Sequence, residues 1–313
     1  DAKSELEKVI SSGKYDLIAD VSTFYHPASA GCKEYVLECV RHYDPSNMYS
    51  QEGWFGILAN WGFGYGFIAG PEASMHYKFN TTSGYSYFNP SKSLYDAFVA
   101  EEGADGYRLN AWIRTWEQVI AMNIAVNTTT NKYASEGYFR LKWLASTDDE
   151  FVGYWCGNQS NTPVIRYADV LLMAAEACLQ AGDQAGADEY LGRVRDRARL
   201  PRKSHVTLSD IKLERRLELA MEGMRFQDLK RWGDAPAVLA DKGKKLPTFQ
   251  IVPDPNNDLT TAAGIYNARY TTKTTYVDNE KSLAGWTPNR DEWLPFPENE
   301  LEVNSNLKQN PGY

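Results

Sequence analysis

The chain has 313 residues, with 33 Lys and Arg against 41 Asp and Glu, so its formal net charge is −8. Hydrophobic residues make up 43% and charged residues 24%, a balance that can bury a large core and that rules out disorder along the whole chain. The acidic balance speaks against a nucleic-acid binder, which needs a basic face to displace counterions from phosphates.

In chain order, the opening Asp1–Ile10 is charged and amphipathic. It predicts a helix over about 1–12 rather than a secretory leader. The chain is therefore expected to be part of a longer protein. Glu34–Val40 reads as a short strand. Cys32 and Cys39 are close enough in sequence to pair, but neither belongs to a CxxC. The four histidines are scattered without metal-ligand spacing, so no metal or cofactor is expected.

Residues 43–163 are rich in Gly, Asn, Ser, Thr and aromatics, with short helices expected near 91–101 and 111–124. Within this region Gly53–Pro71 carries no charge and is long enough to span a membrane. Its six glycines argue otherwise, since each costs a helix about 1 kcal/mol relative to Ala. The alternation Gly62-Phe63-Gly64-Tyr65-Gly66-Phe67 suits a looping chain with exposed rings. Its spacing misses the dinucleotide fingerprint, because the third glycine would fall on Phe67.

This aromatic, Gly-rich stretch is the candidate ligand-binding region. The C–H face of a sugar ring stacks on Trp or Tyr while neighbouring amides bond its hydroxyls. Trp54, Trp61, Tyr65, Tyr77, Tyr85 and Tyr87, with Asn60, supply that mixture. Trp112, Trp116, Trp143 and Trp155 read as packing residues instead. Glu52, Glu72 and Asp96 would be the acids of a glycoside hydrolase, but no spacing singles out a pair.

Residues 164–242 are strongly helical. Arg166–Gln180 is apolar on most sides, and Gly182-Asp183 breaks it. A second helix over about 184–199 stops at Pro201. The pair matches a tetratricopeptide hairpin in length and linker, with Ala187 four residues beyond the Asp. A third helix opens on Thr207 and Asp210, a capping-box pattern, and is expected to run to Gly223. A fourth covers Met224–Trp232. Glu214, Glu218 and Glu222 lie on one face among Arg215, Arg216, Arg225, Asp228 and Arg231. They are expected to form an ion-pair network locking two helices and their turn, not a catalytic set.

The tail 243–313 has loop composition. Asp254, Asn256 and Asp258 copy the opening of a calcium loop. Leu259 replaces the turn glycine and Ile265 the closing Glu, so an EF-hand is excluded.

Three stretches carry a resemblance: Val164–Ala177 with Val194–Ala198; Glu214-Arg215-Arg216 through Glu222-Gly223-Met224-Arg225-Phe226-Gln227-Asp228-Leu229-Lys230-Arg231-Trp232; and Leu294-Pro295-Phe296-Pro297 with the ending Gln309-Asn310-Pro311-Gly312-Tyr313. In this order they resemble the SusD/RagB family of nutrient-binding outer-membrane lipoproteins. A weaker match at Ser12–Leu17 and Glu34–Val36 extends the likeness over most of the chain. The resemblance implies a mainly α fold, with tetratricopeptide-like hairpins (164–242) packed against the loop-rich region (43–163) in a single domain over 1–313 that lacks its N-terminal part.

It also implies a non-enzymatic protein at the cell surface, held to the outer membrane by a lipid anchor absent from this chain. The expected partners are an oligosaccharide or other nutrient and a SusC-like TonB-dependent transporter, with no nucleic acid. A glycoside hydrolase and a helical-repeat interaction scaffold are the rival readings.

Overall fold

The computed structural model describes residues 1–24, 27–40, 89–115, 117–118, 132–133, 136–142, 161–253, 270–280 and 285–313. Helix α1 (Ala2–Ser11) starts on Asp1, whose carboxylate accepts the Ser4 N–H at 3.1 Å. Leu6, Val9 and Ile10 recur at helical spacing and pack on the apolar cluster that includes Tyr167, Leu171 and Leu191. Strand β1 (Tyr35–Cys39), expected from the sequence, is antiparallel to β5 (Thr162–Arg166). Cys32, Cys39 and Cys178 are all free thiols, so the open Cys32–Cys39 pairing is not made.

Helix α2 (Lys92–Glu102) is capped by Ser91 and ends at Gly103, whose φ of 78° favours glycine. The helix expected over 111–124 does not begin at 111; Glu117 and Gln118 are helical, and residues 116 and 119–124 lie outside the described residues. Helix α3 (Tyr107–Trp112) lies earlier and gives way at Ile113 to strand β2 (Ile113–Thr115). The reason is pairing: β2 is antiparallel to β4 (Tyr138–Arg140), and the Trp112 carbonyl accepts the Leu141 N–H at 2.8 Å. Branched Ile113 and Thr115 suit the pleat better than a helix.

The hairpin α4 (Tyr167–Gln180) and α5 (Gln184–Arg197) is as the sequence predicts. Gly182 takes φ 76° in the linker, and Asp183 caps α5 through the Gly186 N–H. Ala187 is fully buried where the two helices meet.

Helix α6 (Leu208–Glu218) has the expected capping box, in which Thr207 and Asp210 each accept the other's backbone N–H. It stops short of Gly223, however. Lys142 Nζ takes the Glu218 and Ala220 carbonyls at 2.9 and 3.1 Å, and Arg166 takes the Glu218 carbonyl at 3.1 Å. Cations at a helix C-terminus satisfy its orphan carbonyls and oppose its dipole, so the helix ends there. Gly223, at φ 81°, instead opens α7 (Met224–Arg231). A short α8 (Ala235–Val238) follows.

The tail is more ordered than its composition suggests. Strands β6 (Lys245–Pro253) and β7 (Tyr270–Asp278) pair over nine positions, from Lys245↔Asp278 to Pro253↔Tyr270, and β3 (Lys132–Tyr133) adds to β6. The run Thr271-Thr272-Lys273-Thr274-Thr275-Tyr276-Val277 is the overlooked cue, being rich in branched and aromatic residues. The last helix, α9 (Glu298–Val303), is followed by a clip. Asn310 donates to the Leu294 carbonyl at 2.6 Å, and Gln309 bonds both the N–H and the carbonyl of Phe296.

Two apolar clusters carry the fold. Val21, Phe24, Phe98, Leu109, Trp112, Ile113 and Leu217 join the N-terminal turn to α2, α3 and α6. Tyr167, Leu171, Leu172, Leu191, Val194 and Ile211 hold the α4–α5 hairpin to α6. The fold is mainly α, with the helical hairpin that the sequence implied. Among the described residues no helix is long and apolar enough to cross a membrane.

Candidate functional site

Between the two clusters lies a sealed hub of charge. Glu218, 0% exposed, pairs with Arg108 at 2.9 Å, with Arg166 at 3.0 Å and with Arg197. Glu214 pairs with Arg108 at 2.6 Å and Arg195 at 3.1 Å, while Glu222 holds Arg166 and Lys142. Glu34 and Glu102 close the ring by taking Arg197 and Arg108.

The network expected around the three glutamates therefore exists, with a correction to its cations. These come from α3, β5, α5 and Lys142, so the hub ties many segments and not just two helices. Of the neighbouring basic residues, Arg215 serves Asp169 and Asp228, and Arg216 bonds Ser93. The rings of Phe24 and Trp112 wall the hub, with Arg166 4.7 Å from the first and Lys142 3.7 Å from the second.

Electrostatics follow the geometry. Burial alone raises the Glu218 carboxyl, but Arg197, Arg166, Arg108 and Lys142 outweigh it and hold it well below the carboxylate range. Arg166 and Lys142 depress Glu222 in the same way against its burial. Burial wins at Glu34 and Glu102, whose carboxyls are raised. It also pushes the Lys142 ammonium down to about 8, against the pull of Glu222. The side chains of Glu34, Glu102, Glu214 and Glu218 are at most 1% exposed.

The sequence-predicted ligand residues Trp54, Asn60, Trp61, Tyr65, Tyr77, Tyr85 and Tyr87 all lie outside the described residues, as do Glu52, Glu72, Trp116, Trp143, Trp155 and the Asp254–Asp258 stretch. Trp112, by contrast, is 1% exposed and donates its indole N–H to the Val21 carbonyl, a packing role as expected. What can be described is the frame of the aromatic segment. Before it stands β1, locked to β5. After it stand Asn89, the buried Pro90 and the Ser91 cap of α2.

Beside that second anchor opens a cleft of about 370 Å³ between α2, the β2–β4 pair and the β6–β7 hairpin. The Tyr95 and Tyr138 rings stack there with centroids 4.5 Å apart. Tyr276, 50% exposed, faces the same space. Its hydroxyl donates to Glu136, whose other oxygen accepts the Lys92 backbone N–H at 2.6 Å, so both groups are fixed in place. The Glu136 hydrogen bond, with some burial, pushes the Tyr276 phenol up to about 12.

Gly137 forms part of the lining. Its φ is +87°, and a Cβ there would sit 2.5 Å from the buried Phe249 ring. Glu117 and Thr274 complete an exposed polar rim. Sequence reading missed this site because its rings come from three distant segments.

A larger groove, about 640 Å³, runs between α1, α4 and α7. It is lined by apolar Leu6, Met173 and Met224, while its Glu176, Arg215, Asp228 and Arg231 are already paired with one another. Glu7, Cys178 and Asp183 bring ligand-type atoms within 4.8 Å. The Lys3 ammonium already sits 2.9 Å from Asp183, and burial pushes the Cys178 thiol up to about 11, which leaves it a protonated, poor ligand.

Comparison with known proteins decides the family. The SusD family profile matches residues 33–313. The chain belongs to the SusD family. Among its relatives are a SusD-like protein of Bacteroides ovatus, 31% identical over 170 residues, and SusD-like protein P2 of Formosa agariphila, 32% identical over 194. The matches cover 48% and 56% of this chain but 29% of each relative.

The SusD fold is equally clear from solved structures. Surface glycan-binding protein A from Bacteroides thetaiotaomicron, in complex with laminarihexaose, superposes with a TM-score of 0.67 at 22% identity, covering 98% of this chain and 58% of that one. A laminarin-binding SusD-like protein gives 0.60 at 23% identity, with 99% and 58% covered. The chain thus spans well under two thirds of the length of these SusD relatives.

Proposed function

We propose that this chain is a cell-surface glycan-binding component of a nutrient-uptake complex. It takes an oligosaccharide on the rings of residues 43–88 and passes it to a SusC-like TonB-dependent transporter in the outer membrane, to which a lipid anchor would hold the full protein. Binding occurs without cleavage. The observation that carries this reading is the SusD-family match over 33–313, which encloses the whole aromatic segment.

Two physical points support it. The segment lies between two ordered elements, the β1–β5 pair before it and the capped helix α2 after it. Glu34, Glu102, Glu214 and Glu218 are at most 1% exposed, so they serve the scaffold and not hydrolysis.

Affinity electrophoresis against a polysaccharide panel tests the reading, followed by the Trp61→Ala and Tyr85→Ala variants. Retardation of the wild type by at least one neutral polysaccharide is expected, with weaker retardation of the variants and an unchanged Tm. Release of shortened sugars from the polysaccharide would replace this reading with a hydrolase, and indifference to every glycan would replace it with an interaction scaffold. Co-purification with a SusC-like transporter tests the delivery step.

A further inference from the structure

We propose that the tyrosine cleft between α2, the β2–β4 pair and the β6–β7 hairpin is a subsite for a neutral saccharide unit. This rests on the reading of the chain as a glycan binder and adds a place and a chemical class to it.

The size fits. A cleft of about 370 Å³ is at the small end of ligand pockets and admits one or two sugar rings. The chemistry fits as well. Tyr276 presents a half-exposed ring whose tilt is set by its bond to Glu136, and Glu136 is itself fixed by the Lys92 N–H. A sugar stacking on that ring pays little to order it. Around it stand groups that can bond sugar hydroxyls: the Tyr95 and Tyr138 phenols, Thr274 and Glu117.

The charge pattern selects the class. Glu117 and Glu136 line the cleft. Among the described lining residues the one lysine, Lys92, already holds Asp96 at 2.6 Å. No cation is left uncommitted among these lining groups, so a uronate or sulfate entering here meets carboxylates of its own sign. A neutral hexose or pentose meets none of that repulsion.

The position gives the cleft a purpose. Lys92 is the first residue of α2, three residues beyond Asn89 at the end of the aromatic segment. A chain of sugars held by that segment has a second hold next to its C-terminal anchor. Two linked weak sites give an avidity that neither has alone.

Calorimetric titration tests this with the whole chain and five probes: laminarihexaose, cellohexaose, mannohexaose, xylohexaose and hexagalacturonate. Tyr276→Ala is expected to weaken the best neutral probe by about three- to tenfold. Tyr138→Phe, which deletes only a hydroxyl, should weaken it less. Glu117→Lys should improve hexagalacturonate binding and leave neutral binding near wild type.

The cleft is overturned if Tyr276→Ala and Tyr138→Phe both bind as the wild type does while Trp61→Ala loses affinity; the broader glycan-binding reading then stands. Loss in Tyr276→Ala with no change in Trp61→Ala or Tyr85→Ala supports the cleft and removes the ligand from residues 43–88. Hexagalacturonate binding as tightly as the neutral probes overturns the assigned class. A wild type that binds none of the five overturns the cleft, while the polysaccharide panel decides the broader reading. Tyr276 is half exposed, so its replacement leaves the core intact, and far-ultraviolet circular dichroism checks that directly.

Discussion

The hub and the tyrosine cleft are built from the same side chains and do opposite things. Each has glutamates, basic residues and aromatic rings in contact. In the hub Glu218 is 0% exposed and meets three guanidinium groups, while the rings of Phe24 and Trp112 cover the cations. In the cleft Tyr276 is 50% exposed although its hydroxyl is held by Glu136, and Lys92 is held by Asp96. The difference is access to water. A polar group sealed inside the protein can only support it, whereas one that still faces water can exchange that water for a ligand.

The most forceful way to break the comparison is to unbalance the hub. Glu218→Ala leaves Arg108, Arg166 and Arg197 short of a buried counter-charge and should cost about 3–5 kcal/mol, read from urea unfolding. A loss under about 1 kcal/mol would mean that water reaches the hub, and the contrast with the cleft would vanish.

Gly137→Ala tests the other side. It places a methyl group against Phe249 at a φ of +87° and should cost about 1–3 kcal/mol while distorting the cleft. An unaffected Tm would show that β4 and β6 are not packed as described.

Acid titration sharpens the electrostatic half. Glu222 has its carboxyl held below the usual value of 4.5, so its contribution is complete above 4.5 and is lost as pH falls through the lower folded value. Glu34 and Glu102, raised by burial, act in the opposite sense, so the wild-type profile alone mixes the two. The difference between wild type and Glu222→Gln isolates the first. It should shrink as pH falls below 4.5, and a difference that grows toward low pH would reverse the assignment.

The smallest effect is expected at a place belonging to neither region. Thr207→Ala removes the cap of α6 and should lower stability by about 1 kcal/mol, with sugar binding unchanged.

Much of the scaffold was legible in the residues. Helical periodicity, Gly182 and the Thr207/Asp210 pair placed α4 to α7 to within a few residues, because helix formation and capping depend on neighbours in the chain. The spacing of Glu214, Glu218 and Glu222 marked a charged face. It could not show that their cations are Arg108 and Lys142, which lie 106 and 80 residues away from Glu214 and Glu222.

The same distance explains the helix end at Glu218. The carbonyls released there are taken by Lys142 and Arg166, which local propensity does not see. It also explains the cleft, whose Tyr95, Tyr138 and Tyr276 meet only because β2 pairs with β4 and β6 with β7.

The sequence by itself determined the family, the helical hairpin and the aromatic character of the middle segment, all of which reside in local order and composition. Tertiary structure alone decided which charges are sealed and which rings face water. Burial and pairing are properties of what folding brings together, and no stretch of neighbouring residues contains them.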